Sequence, residues 1–126
     1  MKRILIFLLL GPVVGFLVFL LLQVFAGKDV GGAQGFLLGL PFAFIFAVLP
    51  SLAMGFEDRW LEDKISLWPK VLATAAVGYG GSVAMMAVWT AMPITLPQLL
   101  MFGIVGAVQG AVCSWLAGGT YDAKAK

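Results

Sequence analysis

From Ile4 to Ala26 the chain runs for 23 residues without a charge, and 18 of them are Leu, Ile, Val or Phe. A stretch like this leaves few choices of fold. At roughly 0.3–0.6 kcal/mol per such residue, it gains about 5–11 kcal/mol on entering a bilayer, before Pro12 and Gln23 are subtracted. Backbone in hydrocarbon must satisfy its own hydrogen bonds, so the segment is expected to be a spanning helix. The basic start Met1-Lys2-Arg3 and the small residue Ala26 also suit a cleaved leader. The apolar run exceeds the roughly 7–15 residues of a leader core, so it is read as a retained span.

Three further apolar segments follow, at 35–56, 71–92 and 98–118. With 62% hydrophobic and 11% charged residues and a mean hydropathy of +1.05, the chain has more apolar surface than one water-soluble core can hide. The expected fold is an all-α integral membrane protein, one domain over 1–126 with four transmembrane helices in a four-helix bundle. Pro41 and Pro50 each free a carbonyl four residues earlier, so the second span is expected to kink. Pro12 and Pro50 fall at similar depth when the residues are counted through the first loop. The third span has only five Leu, Ile, Val or Phe residues beside six alanines and Gly78, Gly80 and Gly81. It is therefore expected to be the most enclosed by protein.

The basic residues orient the chain. Lys2 and Arg3, then Arg59, Lys64 and Lys70, then Lys124 and Lys126 share one face, against Lys28 alone on the other. This bias predicts a bacterial inner-membrane protein with both termini cytoplasmic. The net charge of +2 is explained by this topology and suggests no nucleic-acid partner.

At a shift of 64 residues, the 25 positions from Gln34 to Asp58 match Gln98 to Asp122 at nine places, where about two are expected by chance. Gly39/Gly103, Ala43/Ala107, Ala47/Ala111 and Asp58/Asp122 are among them. The pattern suggests a tandem duplication of a two-helix hairpin, with a pseudo-twofold axis along the membrane normal. Gly35, Gly39, Ala43 and Ala47 form a small-residue stripe in span two, and Gly103, Ala107 and Ala111 one in span four. Gly106 and Gly110 make a further GxxxG there, as Gly11 and Gly15 do in span one. Such stripes let helix backbones approach. The expectation is that spans two and four meet through them near the axis, although the same faces would also suit a homo-oligomer or a larger membrane complex.

Few polar residues sit within the spans. Gln109 lies near the middle of span four, level with Gly81 and Ser82, and Ser82 or Tyr79 is the expected partner of its amide. An interhelical hydrogen bond is the ordinary role for such a group, and a polar lining for a substrate path is the functional one. In Glu57–Lys70, helical spacing places Leu61, Ile65 and Trp68 with Trp60, leaving Arg59, Glu62 and Asp63 towards water. A short cytoplasmic interfacial helix between spans two and three is expected, with Trp60 and Trp68 at the headgroups and the carboxylates solvated.

No Asp, Glu, Lys or Arg lies in any predicted span, and such groups mark proton relays and coupled pumps. Small multidrug exporters share this span number and length, but the membrane carboxylate on which they depend is missing. Histidine is absent, and the lone Cys113 has no base to activate it. No catalytic, cofactor-binding or metal-binding residue is expected, and hence no cofactor and no enzyme activity. The sequence favours a non-enzymatic scaffold, accessory subunit or assembly partner in the lipid bilayer. A small uncoupled channel, transporter or flippase is the alternative.

Overall fold

The computed structural model describes residues 2–125 except 30 and 92, with side chains up to residue 119. The repeat's Asp122 and the basic Lys124 and Lys126 lie beyond the described side chains. Four helices run up and down: α1 (Lys2–Phe25), α2 (Gly32–Leu61), α3 (Leu67–Thr90) and α4 (Leu96–Ala125). Each is long and apolar enough to cross a membrane. The chain is an all-α, four-helix, multi-pass membrane protein.

Leu9, Leu21, Leu37, Leu72, Val88 and Leu100 are among many large apolar side chains pointing outward from the four helices. In water such a surface would aggregate, and in a bilayer it meets lipid. The neighbours around the bundle are α1–α2, α2–α3, α3–α4 and α4–α1. The packing is closest within the α3–α4 hairpin and loosest between the neighbours α2 and α3. α2 and α4 lie diagonally, with few close backbone approaches, and meet through side chains.

The connections follow local chemistry. Between α1 and α2, Gly27, Gly31 and Gly32 adopt φ of 69°, 70° and 58°, values that suit glycine, and the Asp29 carboxylate accepts the Gly31 N–H at 3.0 Å. α3 ends at Ala91, which takes a left-handed conformation (φ 47°) in place of the usual glycine.

The expected interfacial helix is not present as a separate element. α2 continues through Glu57 to Leu61, residues 62–66 turn, and α3 starts at Leu67. Its two halves thus belong to different spans. At 30 residues α2 is about 45 Å long, so its last turns extend past a hydrocarbon core of about 30 Å. Trp60 and Trp68 are exposed at that end, and the Lys64 ammonium lies 3.3 Å from the centre of the Trp60 ring. Arg3, Arg59, Lys64 and Lys70 gather at this end of the bundle, called the basic end below. The α1–α2 and α3–α4 turns form the far end.

The packed core lies in the basic half, where Phe7, Met54, Cys113 and Ala117 from α1, α2 and α4 are fully enclosed. α3 contributes less, with Val71, Thr74 and Gly78 buried and Leu72 and Val88 outward. It is not the most enclosed helix. Gly78 lies against Gly106 of α4 and Gly81 against Pro50 of α2, while Gly80 has no neighbour within 4 Å of where a Cβ would stand.

Candidate functional site

Of the glycines in the stripes, Gly106 and Gly110 lie against the α3 backbone, whereas Gly39 and Gly103 meet side chains of their own hairpins. A side chain at Gly39 would begin 2.8 Å from the Phe16 ring of α1, so this glycine makes room for an aromatic wedge. Gly103 does the same for Tyr79 of α3, with which any larger residue would collide. Gly106 lies directly on Gly78 and Ser82, and Gly110 lies 2.6 Å, at its absent Cβ, from the Thr74 carbonyl oxygen. α2 therefore uses Gly39 on α1, and α4 uses Gly103 and Gly106 on α3, while Gly110 meets both Thr74 of α3 and the Met54 side chain of α2. The expected meeting of α2 and α4 through these faces is overturned. A stripe defines a face, and the short turns of each hairpin place the sequence neighbour against it.

The remaining stripe residues have different positions. Gly35 lies in the first turn of α2, its N–H bonded to the Gly31 carbonyl at 3.1 Å. Ala107 and Ala111 are half-buried. Ala43 and Ala47 are half-buried and form part of a cavity wall.

Gln109 is only 3% exposed, and its amide donates to the Ser51 hydroxyl of α2 at 2.9 Å. Its partner is thus neither Ser82 nor Tyr79. The amide lies against the Gly11–Gly15 groove of α1, 2.8 Å from where a Gly11 Cβ would stand and 2.6 Å from a Gly15 Cβ. One polar node joins α1, α2 and α4 at mid-bundle. Tyr79 instead turns its hydroxyl towards the Leu99 carbonyl at 3.4 Å, long for a hydrogen bond. Ser82 lines the same cavity as Gln109 from the α3 side.

A second polar node, at the basic end, was not anticipated. Asp58 has no exposed surface. Its carboxylate accepts from Arg3 of α1 at 3.0 Å and from the Ser114 hydroxyl of α4. Arg3 also pairs with Glu62 at 2.7 Å. The carboxylates of this stretch are therefore not all solvated, and α2 carries an ionisable group into the bundle. Lys70 is only 4% exposed and runs along α4 at Gly118, and Thr74 donates to its carbonyl at 2.9 Å. A signal for Asp58 was present in the sequence: Ser51, Met54 and Asp58 recur at i, i+3 and i+7, one face of a helix continued past Phe56.

Between the mid-bundle node and the far end lies a partly open cavity of about 360 Å³, to which all four helices contribute. Pro12 and Pro50, matched in depth, border it with Gln109. Phe16 and Phe19 of α1, Phe42 and Phe46 of α2, and Phe102 of α4 supply aromatic walls, and Met85 and Met86 of α3 a flexible one. Aromatic pairs bridge three of the seams: Phe16–Phe36 at 5.5 Å between α1 and α2, Phe19–Phe102 at 6.1 Å between α1 and α4, and Phe46–Trp89 at 4.7 Å between α2 and α3. These contacts tie neighbouring helices at their edges, while the small side chains of Ala43 and Ala47 line the space between them. The cavity size is that of a small-ligand pocket.

Among the described residues no cluster of His, Cys, Asp and Glu could hold a metal ion. Fold and site together define a small four-span membrane protein with a tied basic half and a hollow far half. No known family, curated protein or solved structure matches this chain.

Proposed function

We propose that this protein is a non-enzymatic inner-membrane accessory or scaffold subunit, with both termini on the cytoplasmic side. The observation that carries this reading is how the polar groups are used. Asp58, Arg3, Ser114 and Glu62 form one set of internal links, and Gln109 with Ser51 another. Groups that cross-link helices in this way hold a bundle together. Between the two nodes, Phe7, Met54 and Cys113 fill the interior, so a solute path would have to displace packed side chains. The orientation rests on the basic residues at one end against Lys28 at the other.

The far-half cavity favours a second reading, an uncoupled carrier or flippase, in which the basic half would have to open. Two measurements separate them. Purification in gentle detergent followed by native mass spectrometry should find a fixed partner chain, and proteoliposomes should leak ions and small solutes no faster than empty vesicles. Saturable flux through the purified protein would overturn the accessory reading. Reporter fusions after residue 126 and within 59–70 should report cytoplasm, and one near Lys28 the opposite side. A C-terminus on the far side would reverse the orientation.

A further inference from the structure

The far-half cavity is surrounded by helices whose outer faces meet lipid, so molecules that reach it sideways come from the bilayer. Its lining carries no charged side chain, and apart from Gln109 and Ser82 it is made of apolar residues. Charged lipids and fatty carboxylates would lose their hydration there without gaining a counter-charge. A neutral, mainly apolar molecule fits this wall.

The polar groups narrow the class further. Gln109 is buried and has one described hydrogen bond, from its Nε2 to Ser51. That bond uses the nitrogen, and Oε1, which packs against Gly15 of α1, keeps two lone pairs to offer. Gln109 borders the cavity together with Gly15, and Ser82, whose hydroxyl lies beside Gly106 and can both donate and accept, borders it from α3. An acceptor and a hydroxyl on two residues that border one apolar space are complemented by a single group that donates to one and accepts from the other. A hydroxyl does both. An ether, an ester or a quinone carbonyl only accepts, and would leave Oε1 without a donor.

We propose that this cavity binds a lipid-soluble alcohol, a hydroxyl group on an apolar body such as an isoprenoid or long alkyl chain. The hydroxyl donates to Gln109 Oε1 and accepts from Ser82, while the body lies among Phe16, Phe42, Phe46 and Phe102. Entry is through the α2–α3 seam, the loosest between neighbours, where Phe46 meets Trp89 and the adjoining methionines can re-pack. This site does not depend on the accessory reading: a scaffold that holds a lipid and one that does not would have the same polar nodes.

The test is equilibrium binding to the full-length protein in nanodiscs, with farnesol, its methyl ether and farnesoic acid as probes. Farnesol should bind about five- to tenfold more tightly than the ether, the factor expected for one neutral hydrogen bond, and the acid more weakly still. Ser82→Ala should narrow the alcohol–ether difference. Ala47→Phe, which places a large side chain in the cavity wall, should abolish binding of all three. Protection of Cys113 from thiol reagents verifies that each variant remains folded, since this thiol is fully buried. Equal binding of alcohol and ether would overturn the hydroxyl assignment. Unchanged farnesol binding in folded Ala47→Phe would place the site elsewhere, and absence of farnesol binding to the wild type would end the proposal.

Discussion

The Arg3–Asp58 pair makes an asymmetric prediction. Asp58 has no exposed side-chain surface, whereas Arg3 is 11% exposed and has a second carboxylate, Glu62, at 2.7 Å. Replacing Arg3 by Met leaves a buried carboxylate with Ser114 as its remaining described partner. Breaking a buried pair in this way costs about 3–5 kcal/mol. Replacing Asp58 by Asn keeps the shape: its Oδ1 accepts from Arg3, which also retains Glu62, and its amide N–H donates to the Ser114 hydroxyl oxygen, whose own O–H turns away. The loss is then the difference between charge-assisted and neutral hydrogen bonds, about 1 kcal/mol. Arg3→Met should therefore be the worse variant by about 2–4 kcal/mol, at least roughly 30-fold in the folding equilibrium. The double variant should be more stable than Arg3→Met alone, because the stranded charge has gone. Reversible unfolding in mixed micelles of dodecylmaltoside and dodecyl sulfate, followed by circular dichroism, measures all three. If Asp58→Asn costs as much as Arg3→Met, or the two losses simply add, Asp58 is not held as a buried anion by Arg3.

Two further predictions concern packing. Gly106→Ala places a methyl group against the Gly78 backbone and should cost about 1–3 kcal/mol by the same assay, whereas Gly80→Ala, with nothing within 4 Å of the new Cβ, should be neutral or stabilising by up to about 1 kcal/mol. Cysteine pairs at Phe16/Gly39 and Tyr79/Gly103 should crosslink within one chain and an Ala43/Ala107 pair should not; the reverse pattern would restore the diagonal contact of α2 and α4.

Much of the architecture was legible from residue types alone. Spanning helices are dictated by the solvent: a segment such as Ile4–Ala26 has no stable place outside lipid, and its backbone no alternative to a helix within it. The same physics made the other three spans recognisable and the glycine-rich faces identifiable as close-packing surfaces. Helix ends were less visible. Hydropathy falls at Glu57, which suggested a break, yet the helix continues because Asp58 finds Arg3 and Ser114 inside the bundle.

Which face met which helix was decided only in three dimensions. Gly39 could have packed on α4, but a short turn brings α1 alongside, and Phe16 fills the notch. Gln109 had Ser82 and Tyr79 level with it in the neighbouring span, but its amide turns to Ser51 because Gly11 and Gly15 open a groove on that side. Ala43 and Ala47 look the same in sequence as the packing glycines, yet they border empty space, because the volume left between four helices depends on all of them together. Local sequence sets the period and polarity of each helix, which is enough to place it in a membrane. The partners of a buried carboxylate, an amide or a methyl group are set by long-range geometry, and so the two polar nodes and the cavity emerged only with the assembled bundle.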